Sequence, residues 1–290
     1  MKNSTKAMFK KHGWRVDKFI HNYLYFLFYY QYIRIINLFL PLLKHLKNFK
    51  PIVFIGKMIF NRYHAKVLSF GDTKKVFSLN KDIRVISEKN KQIIPFKYAT
   101  KIIFQEPTHI AVMDCPCKKS THAPSEDINS CIAVGKDLSN FWIDHCQKYN
   151  ARKITQIEAL DIITQFRKKG HITQAFFKVA TGGSTGVICN CHPKTCVSLR
   201  ATITAKEIDK SLSQSAPSGY SIIFDASKCI SCESCSKVCI FGAVKFKDGI
   251  RLYDKNECMG CELCIENCHK KAIELYIDKD KPLPLDLDKV

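Results

Sequence analysis

Acidic side chains are nearly missing from the front of this 290-residue chain: Asp17 is the single one in residues 1–66, against thirteen Lys and Arg. The formal charge of +20 is therefore unevenly spread, since residues 220–290 carry eleven basic and twelve acidic side chains. A basic front suggests an anionic partner, nucleic acid or membrane. The richness in Lys, Ile and Asn, which reads as biased genomic composition, accounts for part of it. The opening stretch MKNSTKAMFKKHGWRVDKF has no uninterrupted apolar core followed by small residues, so an export signal is not expected. There is no Ser-His-Asp order, no paired carboxylates and no flavin motif. Gly182, Gly183 and Gly186 in TGGSTG lack a following Lys-Ser/Thr and precede a β-prone run. This disfavours a Walker loop or dinucleotide fingerprint and leaves a tight turn.

Long clean apolar runs are also scarce. Phe19 to Leu43 could cross a bilayer by length, but Gln31, Arg34, Asn37, Lys44 and Asn48 recur at steps of three or four. The narrow polar stripe suits an aromatic amphipathic helix lying in the membrane interface, kinked near Pro41 and followed by a second apolar run, Pro51 to Phe60. A spanning helix, or one buried on the protein's own core, are the alternatives. Lys75 to Leu79 and Ile83 to Ile86 read as small strands separated by turn residues. Thr155 and Glu158 form a capping box opening a helix that buries Ile157, Leu160, Ile163 and Phe166 and stops at Gly170. Ser211 to Gly219 reads as a linker.

Cysteine is what the chain has in excess: 15 residues, in a chain too long for a small disulfide scaffold. The thiols are therefore read as reduced and available to metal. Cys229, Cys232, Cys235 and Cys239 are spaced C-x2-C-x2-C-x3-C, and Cys258, Cys261, Cys264 and Cys268 repeat the run twenty-nine residues on. Asp225 and Asp254, Ala243 and Ala272, Val244 and Ile273 repeat with it, so each half is one copy of a unit. Zinc usually takes C-x2-C pairs across a longer loop, which two complete four-Cys runs exceed.

The last part, from about Tyr220 to Ile277, resembles the bacterial two-cluster ferredoxins. The resemblance implies one [4Fe-4S] cluster on Cys229, Cys232, Cys235 and Cys268, and a second on Cys258, Cys261, Cys264 and Cys239. It also implies outer strands near Tyr220 to Phe224 and Ala272 to Tyr276, with a hairpin turning at Lys247-Asp248-Gly249. Ile240 and His269 stand where such proteins usually place Pro.

Seven further cysteines lie upstream. Cys115, Cys117 and Cys131 form one group, Cys189, Cys191 and Cys196 a second, and Cys146 reads as a buried core thiol. Each group begins with C-x-C after a β-prone run, so the six could meet at strand ends and hold a third centre, an Fe–S cluster or zinc. Six exceed the four ligands such a centre needs. His122, His145 and His192 read as packing or surface residues. Residues 110–196 resemble a group of ferredoxin-like proteins of anaerobic bacteria and archaea, with D-C-x-C, C-[LI]-x-x-G, S/T-x-x-E-A-L and C-N-C motifs in order. Lys118 replaces a common Arg, and His192-Pro193 replaces further cysteines.

The expected fold is α+β in three parts. A basic amphipathic membrane-associating segment (1–66) precedes a cysteine-containing α+β domain (67–218) and a dicluster ferredoxin domain (219–290) of pseudo-two-fold βαβ units. The expected function is electron transfer at the inner face of the cytoplasmic membrane, between a reductase and an acceptor protein, with an anionic membrane surface and no nucleic acid as partner. An oxidoreductase with a catalytic middle site, and a redox sensor or assembly factor with zinc or switchable thiols, are the alternatives.

Overall fold

A computed structural model describes residues 2–12, 16–42, 51, 54, 63–85, 92–95, 102–178, 186–208 and 213–287. The strands in chain order are β1 (Tyr63–Leu68), β2 (Ile83–Val85), β3 (Ile102–Phe104), β4 (Ile110–Asp114), β5 (Asn129–Val134), β6 (Arg152–Ile154), β7 (Ile172–Lys178), β8 (Val187–Cys191), β9 (Ser215–Ala216), β10 (Tyr220–Phe224), β11 (Val244–Lys247), β12 (Ile250–Tyr253) and β13 (Ile273–Ile277). Seven of them form one sheet in the order β6-β4-β5-β8-β7-β1-β9, antiparallel except for the parallel β1–β9 edge.

Alternation along the strands divides the core between the two faces. Ala111, Met113, Cys131, Ala133, Val187, Cys189 and Cys191 point to one face. Ile110, Val112, Ile132, Val134 and Ile188 point to the other, under the helices Phe70–Ser78 and Gln156–Lys168. With both faces covered, β4 and β8 are buried throughout and read as nearly continuous apolar runs.

The N-terminal segment packs on the protein itself. It consists of helices Asn3–His12, Val16–Leu27 and Tyr29–Phe39, and Tyr25, Phe26, Tyr29 and Ile33 are buried in the first core. Phe26 sits between Phe141 and Trp142. Asn37, expected on a solvated polar stripe, donates to Ser120 Oγ and accepts from Arg200 Nη1, both at 2.8 Å. The Lys148 ammonium closes the end of the second helix by donating to the Leu27 carbonyl. Among the described residues no helix is long and apolar enough to cross a membrane. Pro51 and Phe54 are the described members of the second apolar run; Lys44 and Asn48 lie outside the described residues.

Three local expectations change. Lys75 to Leu79 is not a strand, because Ser69 Oγ accepts from Asp72 N at 2.9 Å and caps the helix Phe70–Ser78 instead. Ser215–Ala216, expected in a linker, is the sheet's edge strand on β1, and β1 itself straddles the boundary placed at residue 66. Thr155 does cap its helix, accepting from Glu158 N at 3.1 Å, and Gly170 ends it with φ 81°. Ile157 is nonetheless 74% exposed, and the buried face runs through Ala159, Ile163, Phe166 and Arg167. Gly182 and Gly183 lie outside the described residues.

In the last part β10 pairs antiparallel with β13, and β11 pairs with β12 across the Asp248-Gly249 turn. Asp225 N bonds Ala272 O at 2.9 Å and Asp254 N bonds Ala243 O at 2.8 Å, the same exchange between halves at the repeat distance. Asp225 and Asp254 also both accept from the backbone N–H two residues on. The chain end returns to the sheet, where Leu285 and Leu287 enter the second core and Lys75 pairs with Asp286 at 2.8 Å.

Candidate iron–sulfur sites

The two C-terminal cysteine runs line two cavities, each with thiols from both halves. Cys229, Cys232, Cys235 and Cys268 line one, beside Ile230, Phe224 and Ile273. Cys239, Cys258, Cys261 and Cys264 line the other, beside Ile222, Met259 and Leu263. Ser231 and Glu233 in the first loop, and Gly260 and Glu262 in the second, have φ between 51° and 67°. Left-handed residues alternating with right-handed ones turn successive N–H groups toward one concavity, an anion-binding arrangement. Only Gly fits at position 260, since a Cβ there would collide with Ser218 Oγ and the Tyr220 carbonyl.

Hydrogen bonds already reach the sulfurs. Val244 N donates to Cys239 Sγ at 3.4 Å, Ala272 N to Cys268 Sγ at 3.3 Å, and Arg251 Nη1 to Cys229 Sγ at 3.0 Å. The Ser234 hydroxyl and backbone hold the exposed Cys232 thiol below the usual range. Burial pushes the Cys261 thiol up to about 12 and raises Cys264 as well. Binding iron would release those protons. Four thiols to a cavity, apolar walls and inward N–H groups fit a [4Fe-4S] cluster.

The six middle thiols meet at the end of the sheet. Cys131 and Cys189 are register partners on β5 and β8, with their sulfurs 3.6 Å apart, and Cys191 follows two residues along the same face. Cys115 and Cys117 flank Pro116 where β4 turns into the short helix Pro116–Ser120, and Cys196 precedes the helix Val197–Ile208. Each thiol is within hydrogen-bonding reach of two others, in the closed order Cys115, Cys117, Cys196, Cys191, Cys189, Cys131. Contacts from their neighbours hold Cys115 and Cys196 well below the usual thiol range. The hydrogen bonds made by Cys117, Cys131 and Cys191 raise those thiols well above it. Cys146 stays apart in the core, pushed up to about 12 by burial. Among the described residues no group of three or more His, Cys, Asp or Glu is disposed to hold a single metal ion.

Around the ring stand groups that carry no obvious sequence signal. Tyr25 and Tyr29 cover it; burial raises both phenols, and the charges of Cys117 and Cys131 add to the effect. Lys118 is 1% exposed, its ammonium 3.5 Å from the Phe166 ring centroid and without a hydrogen-bond partner among the described residues. Burial lowers it from the usual lysine range, opposed by Cys115 and Cys191. His171 stacks between Phe166 and His192, at 5.0 and 5.2 Å. His145 is engaged by Thr5 and Tyr23, and His192 accepts from Lys194 N. His122 ends the short helix in a left-handed turn.

Residues 222–245 match the family model described as the 4Fe-4S binding domain. The chain therefore carries a ferredoxin-type 4Fe-4S binding region within a mixed α/β protein, and the role that region brings is iron–sulfur electron transfer. A comparison with curated proteins finds no match.

Proposed function

We propose that the protein is an electron carrier with two [4Fe-4S] clusters in a pseudo-two-fold ferredoxin domain, accepting electrons from a reductase and passing them to an acceptor protein. The observation that carries this reading is the division of the eight thiols between two cavities with the fourth cysteine exchanged: Cys268 joins Cys229, Cys232 and Cys235, and Cys239 joins Cys258, Cys261 and Cys264. When bound, each cluster supplies a one-electron redox centre. Cys258 and Cys264 are buried while Cys232 is exposed, and N–H donors at Cys239 and Cys268 and the Arg251 guanidinium favour the more negative, reduced form. A third metal centre falls to the ring of middle thiols.

Docking on the cytoplasmic face of an anionic membrane is supported by the outer side of the N-terminal helices. Val16, Ile20, Leu24 and Phe28 recur every four residues and are exposed, and Ile35, Leu38, Phe39 and Leu42 extend the apolar row. Apart from Lys66, which is buried, and Lys2, which pairs with Asp144, the basic residues of the first 66 supply charge complementary to anionic headgroups.

Electron paramagnetic resonance on anaerobically purified, reduced protein tests the carrier reading. Cys268→Ser and Cys229→Ser are expected to perturb one cluster signal, and Cys239→Ser and Cys258→Ser the other. Perturbation of a single signal by Cys229→Ser and Cys239→Ser together would sink the exchanged assignment.

A further inference from the structure

Six thiols are too many for one cubane, whose four irons each take one terminal ligand. The ring leaves none aside. Read around its perimeter, it divides into two contiguous arcs: Cys131, Cys115 and Cys117, then Cys196, Cys191 and Cys189. The arcs coincide with the two groups along the chain, one from β4 and β5, the other from β8 and the helix start after it. Three thiolates from one segment are also what each ferredoxin run contributes to its own cavity, as Cys229, Cys232 and Cys235 do. Two cubanes joined through one bridging sulfide would each have one iron bound to the bridge and three irons left for thiolates. That demand is three and three.

Resting on the reading of the C-terminal part as a cluster carrier, we propose that the six thiols together hold one sulfide-bridged pair of cubanes, one arc to each cubane. The surroundings suit so anionic a group. Lys118, directly after Cys117, places a buried ammonium, without a hydrogen-bond partner among the described residues, near Cys115, Cys191 and Cys196, and the buried Tyr25 and Tyr29 rings share the core with the thiols. The site also abuts the second ferredoxin cavity. Met259 and Leu263 belong to the same core as the ring, and Cys261 packs against it. From the ring, Cys117 leads to Lys118, Lys118 to the Phe166 face, and the adjacent Arg167 donates through Nη2 to the Cys261 carbonyl at 2.6 Å. Exchange between the two sites is of single electrons, one centre oxidised as the other is reduced, with no atom or proton transferred.

Native mass spectrometry of the full chain, purified and kept without oxygen, counts the metal and sulfide directly. About sixteen irons and seventeen labile sulfides per chain are expected, against about twelve irons if the ring holds one cubane. About twelve irons, or zinc in the ring, overturns the proposal. In the six single Cys→Ser variants of the ring, each substitution is expected to lower the iron count by the same amount, about half of the total. Two that leave the count untouched would show a four-ligand centre and overturn it. If a variant fails to fold, the wild-type count still decides. Cys232→Ser separates this proposal from the reading beneath it: iron lost on ring substitutions but unchanged by Cys232→Ser overturns the ferredoxin assignment and leaves the ring standing. The reverse pattern overturns the ring alone.

Discussion

The Arg251 guanidinium lies over the Phe224 ring at 3.8 Å and donates to Cys229 Sγ at 3.0 Å. It is the one cation aimed at a sulfur of the first cavity among the described residues. Removing a charge-assisted hydrogen bond worth about 1.5–3 kcal/mol from a one-electron centre shifts its potential on the order of 60–130 mV. Arg251→Met is expected to make one of two cluster potentials more negative by up to that amount in a redox titration, leaving the other in place. An equal shift in both, or none, would contradict the first-cavity role of Arg251.

Arg167 ties the helix Gln156–Lys168 to the cavity lined by Cys239, Cys258, Cys261 and Cys264. Its side chain is 2% exposed and bonds Glu266 Oε1 and the Cys261 carbonyl. Truncation leaves a buried carbonyl and a carboxylate without their partner. Arg167→Ala should lower stability by about 3 kcal/mol, read as the shift in a guanidinium unfolding midpoint, whereas Arg152→Ala, at an exposed ion pair with Glu158, should cost less than about 1 kcal/mol.

Asp72 gives the protein an unusual acid dependence. Burial, opposed by Ser69 and Lys66, raises its carboxyl from 3.8 to about 6, and Oδ2 has no hydrogen-bond partner among the described residues. Between those values the folded state keeps a proton that the unfolded state has lost, so this group's contribution to stability is full below 3.8 and is lost as pH rises through 6. Burial lowers Lys66 from 10.5 to about 7, so its penalty is relieved as pH rises from 7 toward 10.5. Comparing unfolding midpoints of wild type and Asp72→Asn from pH 4 to 6, the variant should gain relative to wild type as pH rises. A constant difference would show that Asp72 titrates normally.

The outward apolar row gives the membrane proposal its test. Leu24 and Leu38 are exposed on the N-terminal helices, so Leu24→Glu with Leu38→Glu should fold as wild type. Sedimentation with phosphatidylglycerol vesicles should fall at least tenfold for the double variant, and wild-type binding should weaken from 50 to 300 mM salt. Equal binding to neutral phosphatidylcholine vesicles would leave the basic residues without the role assigned to them.

Much of the C-terminal part was legible because ligand spacing is a local property. The two runs, the Asp225 and Asp254 repeat and the Lys247-Asp248-Gly249 turn each act within a few residues, and the strands and hairpin expected around them are present. The helix after Thr155 was legible for the same reason, although Ile157 lies off its buried face. Lys75 to Leu79 misled because its short apolar alternation was outweighed by the cap at Ser69.

What the sequence alone determined is the supply of chemistry: fifteen cysteines, eight of them in two runs of one repeated spacing, and a basic front. Tertiary structure decided which thiols meet and what covers them. The period of two along β5 and β8 puts Cys131, Cys189 and Cys191 on one face, but it takes the antiparallel register to bring Cys131 opposite Cys189, fifty-eight residues apart. The same is true of the aromatic helix near the N-terminus. Its apolar rows are visible in the sequence, and only the fold shows that Tyr25, Phe26 and Tyr29 enter the core that holds the thiols while Leu24 and Leu38 stay outside, because packing chooses one face of a helix that is apolar on two.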